Sequence, residues 1–187
     1  MQGRSARHLM MIQTGSAKVC QLSPTGNEVI LWMAGAGDPL GVLVEALSQS
    51  YTCTAYAMTP TVALVWEYAR IQALAAAIPQ MRRNISQILT SRLDELQERF
   101  REVATEKVAP RVAKAIMRLL KQVGRPVSGG IELCLSREEL AQMTGTTLFT
   151  ISRLFSKWGE EGFVLPRREA VVVLDTQRLA LVSNACD

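Results

Sequence analysis

Residues 135–164 read LSREELAQMTGTTLFTISRLFSKWGEEGFV and hold two short helical patterns, separated by a tight turn at Thr144-Gly145-Thr146. Ser136 precedes the first pattern and Glu139 follows three residues later. That is the spacing of a capping box, in which each side chain satisfies a backbone N–H that the first helical turn leaves free. Leu140, Ala141 and Met143 supply the apolar face. In the second pattern Ile151, Leu154, Phe155 and Trp158 recur at helical spacing as one buried stripe. Thr147, Thr150, Ser152, Arg153 and Lys157 surround it, and Leu148 and Phe149 stand near its start, where apolar side chains are unexpected. Helix, glycine-containing turn, helix is the layout of a helix-turn-helix, whose second helix can lie in a DNA major groove. An ordinary αα-hairpin fits the same pattern, so the flanking sequence has to decide between them.

Downstream, Phe163-Val164-Leu165, a charged tip at Pro166-Arg167-Arg168-Glu169, and residues 170–174 read as a β-hairpin. Asp175 is placed to cap a last short helix over 176–183. Upstream, residues 107–123 are amphipathic, with Val112, Ala115, Ile116, Leu119 and Leu120 inward and Arg111, Lys114, Arg118 and Lys121 outward. Gly124-Arg125-Pro126 ends that helix, Ser128-Gly129-Gly130 is a loop, and residues 131–135 are a short strand. Helix, strand, helix-turn-helix and hairpin together make a winged helix, and two arginines at the ribbon tip suit a phosphate backbone. That context favours the helix-turn-helix over the simple hairpin.

Further upstream, residues 78–105 contain Pro79 but no glycine, and good helix formers dominate. Leu89, Leu93, Leu96, Phe100 and Val103 step by four, three, four and three residues, an a/d seam flanked by Arg92, Glu95, Glu98, Arg99 and Glu102. Such a seam either faces the core of one domain or joins two copies in a parallel dimer. The first 70 residues read instead as short strands over 9–12, 17–22, 28–33, 51–58 and 61–68. Gly15, Pro24-Thr25-Gly26-Asn27, Gly35-Ala36-Gly37-Asp38-Pro39 and Thr59-Pro60 are the breaks, and residues 42–47 fit a strand or a short helix. Short strands at regular spacing predict an all-β sandwich or roll.

Composition agrees. At 187 residues and 48% hydrophobic, the chain can bury the core of one or two domains. The net charge of +4 arises wholly in residues 81–187, which hold 17 basic and 13 acidic side chains against four and four in residues 1–80. A basic C-terminal half suits phosphate contact. With no long apolar run and no signal-peptide core, the reading is a soluble cytoplasmic protein without a membrane partner. Cys20, Cys53, Cys134 and Cys186 lie far apart, and His8 is the single histidine. These residues indicate no metal site, no cofactor and no nucleophile–histidine pair, so an enzyme is not expected.

The run Ser136-Arg137-Glu138-Glu139-Leu140-Ala141-Gln142, followed by Gly145-Thr146-Thr147 and Thr150-Ile151-Ser152-Arg153-Leu154, resembles the helix-turn-helix signature of the Crp/Fnr superfamily. That superfamily includes the cyclic-AMP receptor protein and the fumarate–nitrate regulator. Gly15-Ser16-Ala17-Lys18-Val19, Pro24-Thr25-Gly26-Asn27-Glu28 and Gly37-Asp38-Pro39-Leu40-Gly41 resemble successive turns of its cyclic-nucleotide-binding β-roll. The resemblance implies an α+β chain with a cyclic-nucleotide-binding-like effector roll over 1–77, a dimerisation helix over 78–105 and a winged helix-turn-helix over 106–187. It implies double-stranded DNA as partner, read by a homodimer at a palindromic site, RNA polymerase as partner if the protein activates, and an unidentified small-molecule effector. The alternative is a ligand-binding or interaction module of the same fold that has lost DNA binding, with Leu148 and Phe149 as its support.

By the same resemblance, Arg153 projects from the groove face and Ser152 is a weaker reader. Leu148 and Phe149 occupy positions where many relatives carry Arg or Glu. They can meet thymine methyl groups, or Phe149 can pack inside. Phosphate contacts fall to Ser136, Arg137, Thr147, Thr150, Arg167 and Arg168. Three departures from the family pattern stand out. Gly41 is kept, but Val42 replaces the Glu that holds the ribose, and the Arg slot for the cyclic phosphate falls on Tyr51 or Thr52. A buried anion without a cation is strongly disfavoured, so cyclic AMP is not expected to bind in the family's manner. The cysteine cluster of the iron–sulfur members is missing, and a lone His8 reads as a surface residue rather than a haem ligand. Finally, family members usually carry a longer N-terminal segment, so either the start is misassigned or the roll is incomplete, with a strand edge unpaired.

Overall fold

The computed structural model describes residues 1–26, 28–41 and 50–185. They form two compact units, Met1–Phe100 and Arg101–Asp187. Asn27, Cys186, Asp187 and residues 42–49, including Val42 and the stretch read as strand or helix, lie outside the described residues.

The first unit is built on six strands: β1 (His8–Thr14), β2 (Ala17–Leu22), β3 (Glu28–Ala34), β4 (Pro39–Gly41), β5 (Thr54–Ala57) and β6 (Val62–Glu67). They pair antiparallel into two three-stranded sheets, ordered β4-β1-β6 and β3-β2-β5. Strand alternation sends Ala17 and Val19 to the inside, where they pack with Ile12, Ala34 and Leu40, and Met10, Trp32 and Cys53 close over them. The β1–β2 turn requires Gly15, which has φ +88° and where a Cβ would sit 2.4 Å from the Pro60 carbonyl oxygen. β1 is paired on both sides, by β4 and β6.

Two elements here depart from the sequence reading. The strand expected over 61–68 stops at Glu67, and Tyr68–Ala77 is a helix, α1. Its alanine-rich sequence carries high helix propensity but almost no apolar periodicity, since only Ile71 is buried. β4 begins at the end of the glycine-rich break and pairs with β1 over just three residues. The long helix α2 spans Pro79–Thr105 as its sequence predicts, with Pro79 in the first turn, where its missing N–H costs nothing.

The second unit contains α3 (Val108–Val123), β7 (Arg125–Val127), β8 (Gly130–Leu133), α4 (Arg137–Thr144), α5 (Leu148–Glu160), β9 (Val164–Pro166), β10 (Val171–Val173) and α6 (Thr176–Ser183). The strands make one antiparallel sheet ordered β7-β8-β10-β9. β7 lies in the stretch read as helix terminator and loop. Gly129, at φ +86°, lets the chain turn back onto β8. The predicted inward set of α3 is buried throughout.

The expectation that Arg111 and Arg118 point outward is corrected. Arg111 is buried, and Arg118 forms a two-pronged ion pair with the buried carboxylate of Glu102 near the end of α2, its Nη2 lying 2.8 Å from Oε2. A guanidinium spends its charge more favourably on buried oxygens than an amphipathic pattern alone suggests. Among the described residues no helix is long and apolar enough to cross a membrane.

Candidate nucleic-acid interface

Local capping chemistry fixes the start of α4. The Ser136 hydroxyl accepts the Glu139 N–H at 3.2 Å, while the Ser136 N–H donates to the Glu139 carboxylate at 2.9 Å. The helix ends at Gly145, whose left-handed backbone (φ 59°, ψ 43°) lets the Thr146 N–H reach back to the Ala141 carbonyl at 3.0 Å. Arg111 secures this turn from beneath. Its guanidinium donates to the carbonyls of Thr144 (2.7 Å), Gly145 (3.3 Å) and Glu106 (3.0 Å), which places positive charge at the negative end of α4. Arg111 is the residue the sequence reading missed most plainly. The signal was its spacing, four residues before Ala115 and eight before Leu119, on the face that α3 buries.

The turn hands the chain to α5, whose cap is Thr147. Its hydroxyl accepts the Thr150 N–H at 3.2 Å and lies 2.9 Å from the Thr150 hydroxyl. One face of α5 is anchored by Ile151, Phe155 and Trp158, all buried, and Trp158 packs on Phe163 with ring centroids 5.7 Å apart. With that face committed, the exposed side near the N-terminus carries Leu148, Phe149 and Arg153. Phe149 is 66% exposed, so it does not pack inside. The Arg153 guanidinium stacks over its ring, 4.9 Å from the centroid. Ser152, next to Arg153, is half-buried.

The remaining predicted phosphate-facing residues are spread around this face and differ in freedom. Ser136 also directs its hydroxyl to Glu139 Oε2 at 3.0 Å. Arg137 is half-buried, and its Nε is buried without a hydrogen-bond partner among the described residues. In the β9–β10 hairpin, Arg167 is tied to Glu132 of β8 at 2.6 Å, whereas Arg168 stands exposed at the tip. The seam residues Leu89, Leu93, Leu96, Phe100 and Val103 are exposed, with Phe100 76% accessible, and none of them is buried among the described residues.

The roll holds a cavity of about 320 Å³. Gly41, Tyr51 and Thr52, three of the positions singled out by the cyclic-nucleotide comparison, line it together with Ala17, Val19 and Trp32. Tyr51 turns its ring to the wall while its hydroxyl is used up: it accepts the His8 N–H and donates to the His8 carbonyl, both at 3.0 Å. The Thr52 hydroxyl lies 3.5 Å from the Cys53 sulfur.

Comparison with known proteins matches both units. Residues 1–77 fit the profile of a cyclic nucleotide-binding domain, and residues 110–182 that of a Crp-like helix-turn-helix domain. A CRP-like cAMP-activated global transcriptional regulator of Mycobacterium tuberculosis is 24% identical over 181 residues, 96% of this chain and 81% of that protein. In fold, the chain is similar to FixK2 from Bradyrhizobium japonicum, with a TM-score of 0.82 at 20% identity, covering 100% of this chain and 92% of that one. It is similar also to TTHB099, a CRP-family transcriptional regulator from Thermus thermophilus, with a TM-score of 0.80 at 23% identity and coverage of 99% and 92%.

Proposed function

Because the chain belongs to the Crp/Fnr family of transcriptional regulators and carries its helix-turn-helix DNA-binding domain, we propose that it acts as a homodimer on a roughly palindromic site. The effector roll would occupy 1–77, the dimerisation helix 78–105 and the winged DNA-binding domain 106–187. The observation that carries this reading is the exposed N-terminal face of α5, where Arg153 and Phe149 stack outward beside Leu148. Arg153 is the base reader, able to make a bidentate pair with guanine O6 and N7, with Ser152 beside it as a weaker one. Leu148 and Phe149 offer no side-chain hydrogen bond and suit thymine methyl groups, so this head reads a site of its own.

Phosphate contacts fall first to Arg168 and to the backbone N–H groups at the starts of α4 and α5. Thr147, Thr150, Ser136, Arg137 and Arg167 contribute where they can share or exchange their present partners. The exposed seam of α2 is the dimer contact, and it would set two reading helices about one DNA turn apart. RNA polymerase is the further partner if the protein activates. Although the Mycobacterium relative is named for activation by cAMP, the effector here is not cyclic AMP bound in that manner.

Selection of bound fragments from genomic DNA, followed by shift assays across sequences and salt, tests the reading. Arg153→Ala is expected to relax specificity at one base step by about 1–3 kcal/mol. Arg168→Ala should weaken all sequences alike and flatten the salt dependence by about one unit of slope. If the two variants behave identically, the division of roles is wrong. If no preferred fragment emerges, the module that has lost DNA binding is the better reading.

A further inference from the structure

The cavity of the roll, at about 320 Å³, is within the size range of sites that take small organic ligands. Among its described lining residues none has a charged side chain. The span between Lys18 and Arg70, which supplies most of the described lining, contains no lysine or arginine. Residues 42–49, outside the described residues, likewise contain no lysine or arginine. Lys18 lies between two cavity-lining residues, but strand alternation sends its side chain to the other face. There it sits 3.8 Å from Glu28 and over the Tyr56 ring. A cyclic phosphate moved from water into such a site would lose its hydration and find no side-chain counter-charge among the described lining residues.

What fills the place of the phosphate cradle is apolar. Gly41 has φ +108°, and a Cβ there would lie 3.6 Å from the Tyr51 ring. The tyrosine thus closes over the glycine with its hydroxyl already satisfied by His8. One polar group on the wall remains unmatched: the indole Nε1 of Trp32 is buried and has no hydrogen-bond partner among the described residues. That donor is closed off from the cavity itself, so the wall a ligand meets is mainly apolar.

We infer that this domain takes an uncharged, mainly apolar small molecule in place of a cyclic nucleotide. The inference rests on reading the roll as the effector domain. It is tested on the full chain without DNA, so it stands or falls separately from base recognition.

The probe is prodan, an uncharged naphthalene ketone whose emission shifts to the blue when it leaves water, titrated against the full chain with and without cyclic AMP. Saturable binding of one dye per chain is expected, undisturbed by a large excess of cyclic AMP. Ala55→Phe fills the cavity from the exposed edge strand β5, and Thr52→Phe fills it from the neighbouring segment. Each should weaken dye binding by about tenfold or more, with an unchanged thermal melt. Displacement of the dye by cyclic AMP would overturn the inference. So would dye binding that both filling variants leave intact, since the dye would then be sitting on exposed apolar surface elsewhere.

Discussion

In the unit of residues 1–100, the whole span between Lys18 and Arg70 carries no cation, and the cavity wall is a tyrosine ring, small aliphatic groups and an indole. In the unit of residues 101–187, two arginines are drawn inward. Arg111 satisfies the carbonyls at the helix-turn-helix corner, and Arg118 meets the buried Glu102. The difference teaches where each unit keeps its precision. A reading head must hold one helix at a fixed angle, and charge-assisted hydrogen bonds to backbone oxygens do that with strong directionality. A small-molecule site can keep its shape while exchanging its chemistry, because apolar walls tolerate substitution better than buried ions do.

The sharpest way to break this contrast is to remove one ion-pair partner from each unit. Arg118→Ala strands Glu102, which is 2% exposed, as an uncompensated buried carboxylate. It should destabilise the second unit by about 3–5 kcal/mol in urea unfolding, and adding Glu102→Ala should recover most of the loss. The matching pair in the first unit is Arg92 with Asp38 at 3.3 Å, where the side chains are 21% and 36% exposed. Arg92→Ala should cost no more than about 1 kcal/mol, even allowing for the guanidinium's stacking on Trp32. Equal losses in the two variants would mean that burial of charge does not distinguish the units.

A smaller effect tests the capping chemistry of the reading head. Ser136→Ala deletes the acceptor for the Glu139 N–H and half of the capping box. The expected loss is about 1 kcal/mol, visible as a lower urea midpoint at unchanged slope. A loss near zero would show that the packing of Leu140 and Ala141, and not the local cap, holds the start of α4.

These elements also explain what could be read before the structure. The capping box, the glycine at the turn and the stripe on α5 were legible because each is a local rule with its own spacing, and local rules survive in any tertiary setting. The strands of the roll were legible from breaks and β-branched runs for the same reason. Tyr68–Ala77 was not, because an alanine-rich segment that buries little leaves no periodicity to detect. Arg111 and Arg118 were read as solvent-facing because an amphipathic pattern sorts residues by type, and a guanidinium goes inside only where backbone oxygens or a carboxylate await it. Those oxygens come from Thr144, Gly145 and Glu102, far away in sequence. At the interface itself, the pattern supplied Arg153 but not its stacking on Phe149, which decides that the aromatic ring stays outside.

The finest test concerns the junction where α2 ends and α3 begins. Glu106 accepts a 2.7 Å hydrogen bond from Lys114 and faces Arg101 at 3.1 Å. The Lys114 hydrogen bond is the main cause holding its carboxyl below the ordinary glutamate range. Burial works against it, while the charges of Lys114 and Arg101 and the Arg101 hydrogen bond add to it. The folded unit therefore binds this proton less readily than the unfolded chain does, so stability should rise with pH across the interval between the two values. The contribution is fully present above the unfolded glutamate range and is lost as the pH falls through the lowered folded value. Urea unfolding of the wild type and Glu106→Gln, repeated from neutral to acid pH, should show a gap between the two that closes on the acid side. Lys114→Met should move that closure toward higher pH, because it removes the largest cause of the shift. A gap independent of pH would mean that Glu106 contributes through packing and its backbone carbonyl, which accepts from Arg111, and not through its charge.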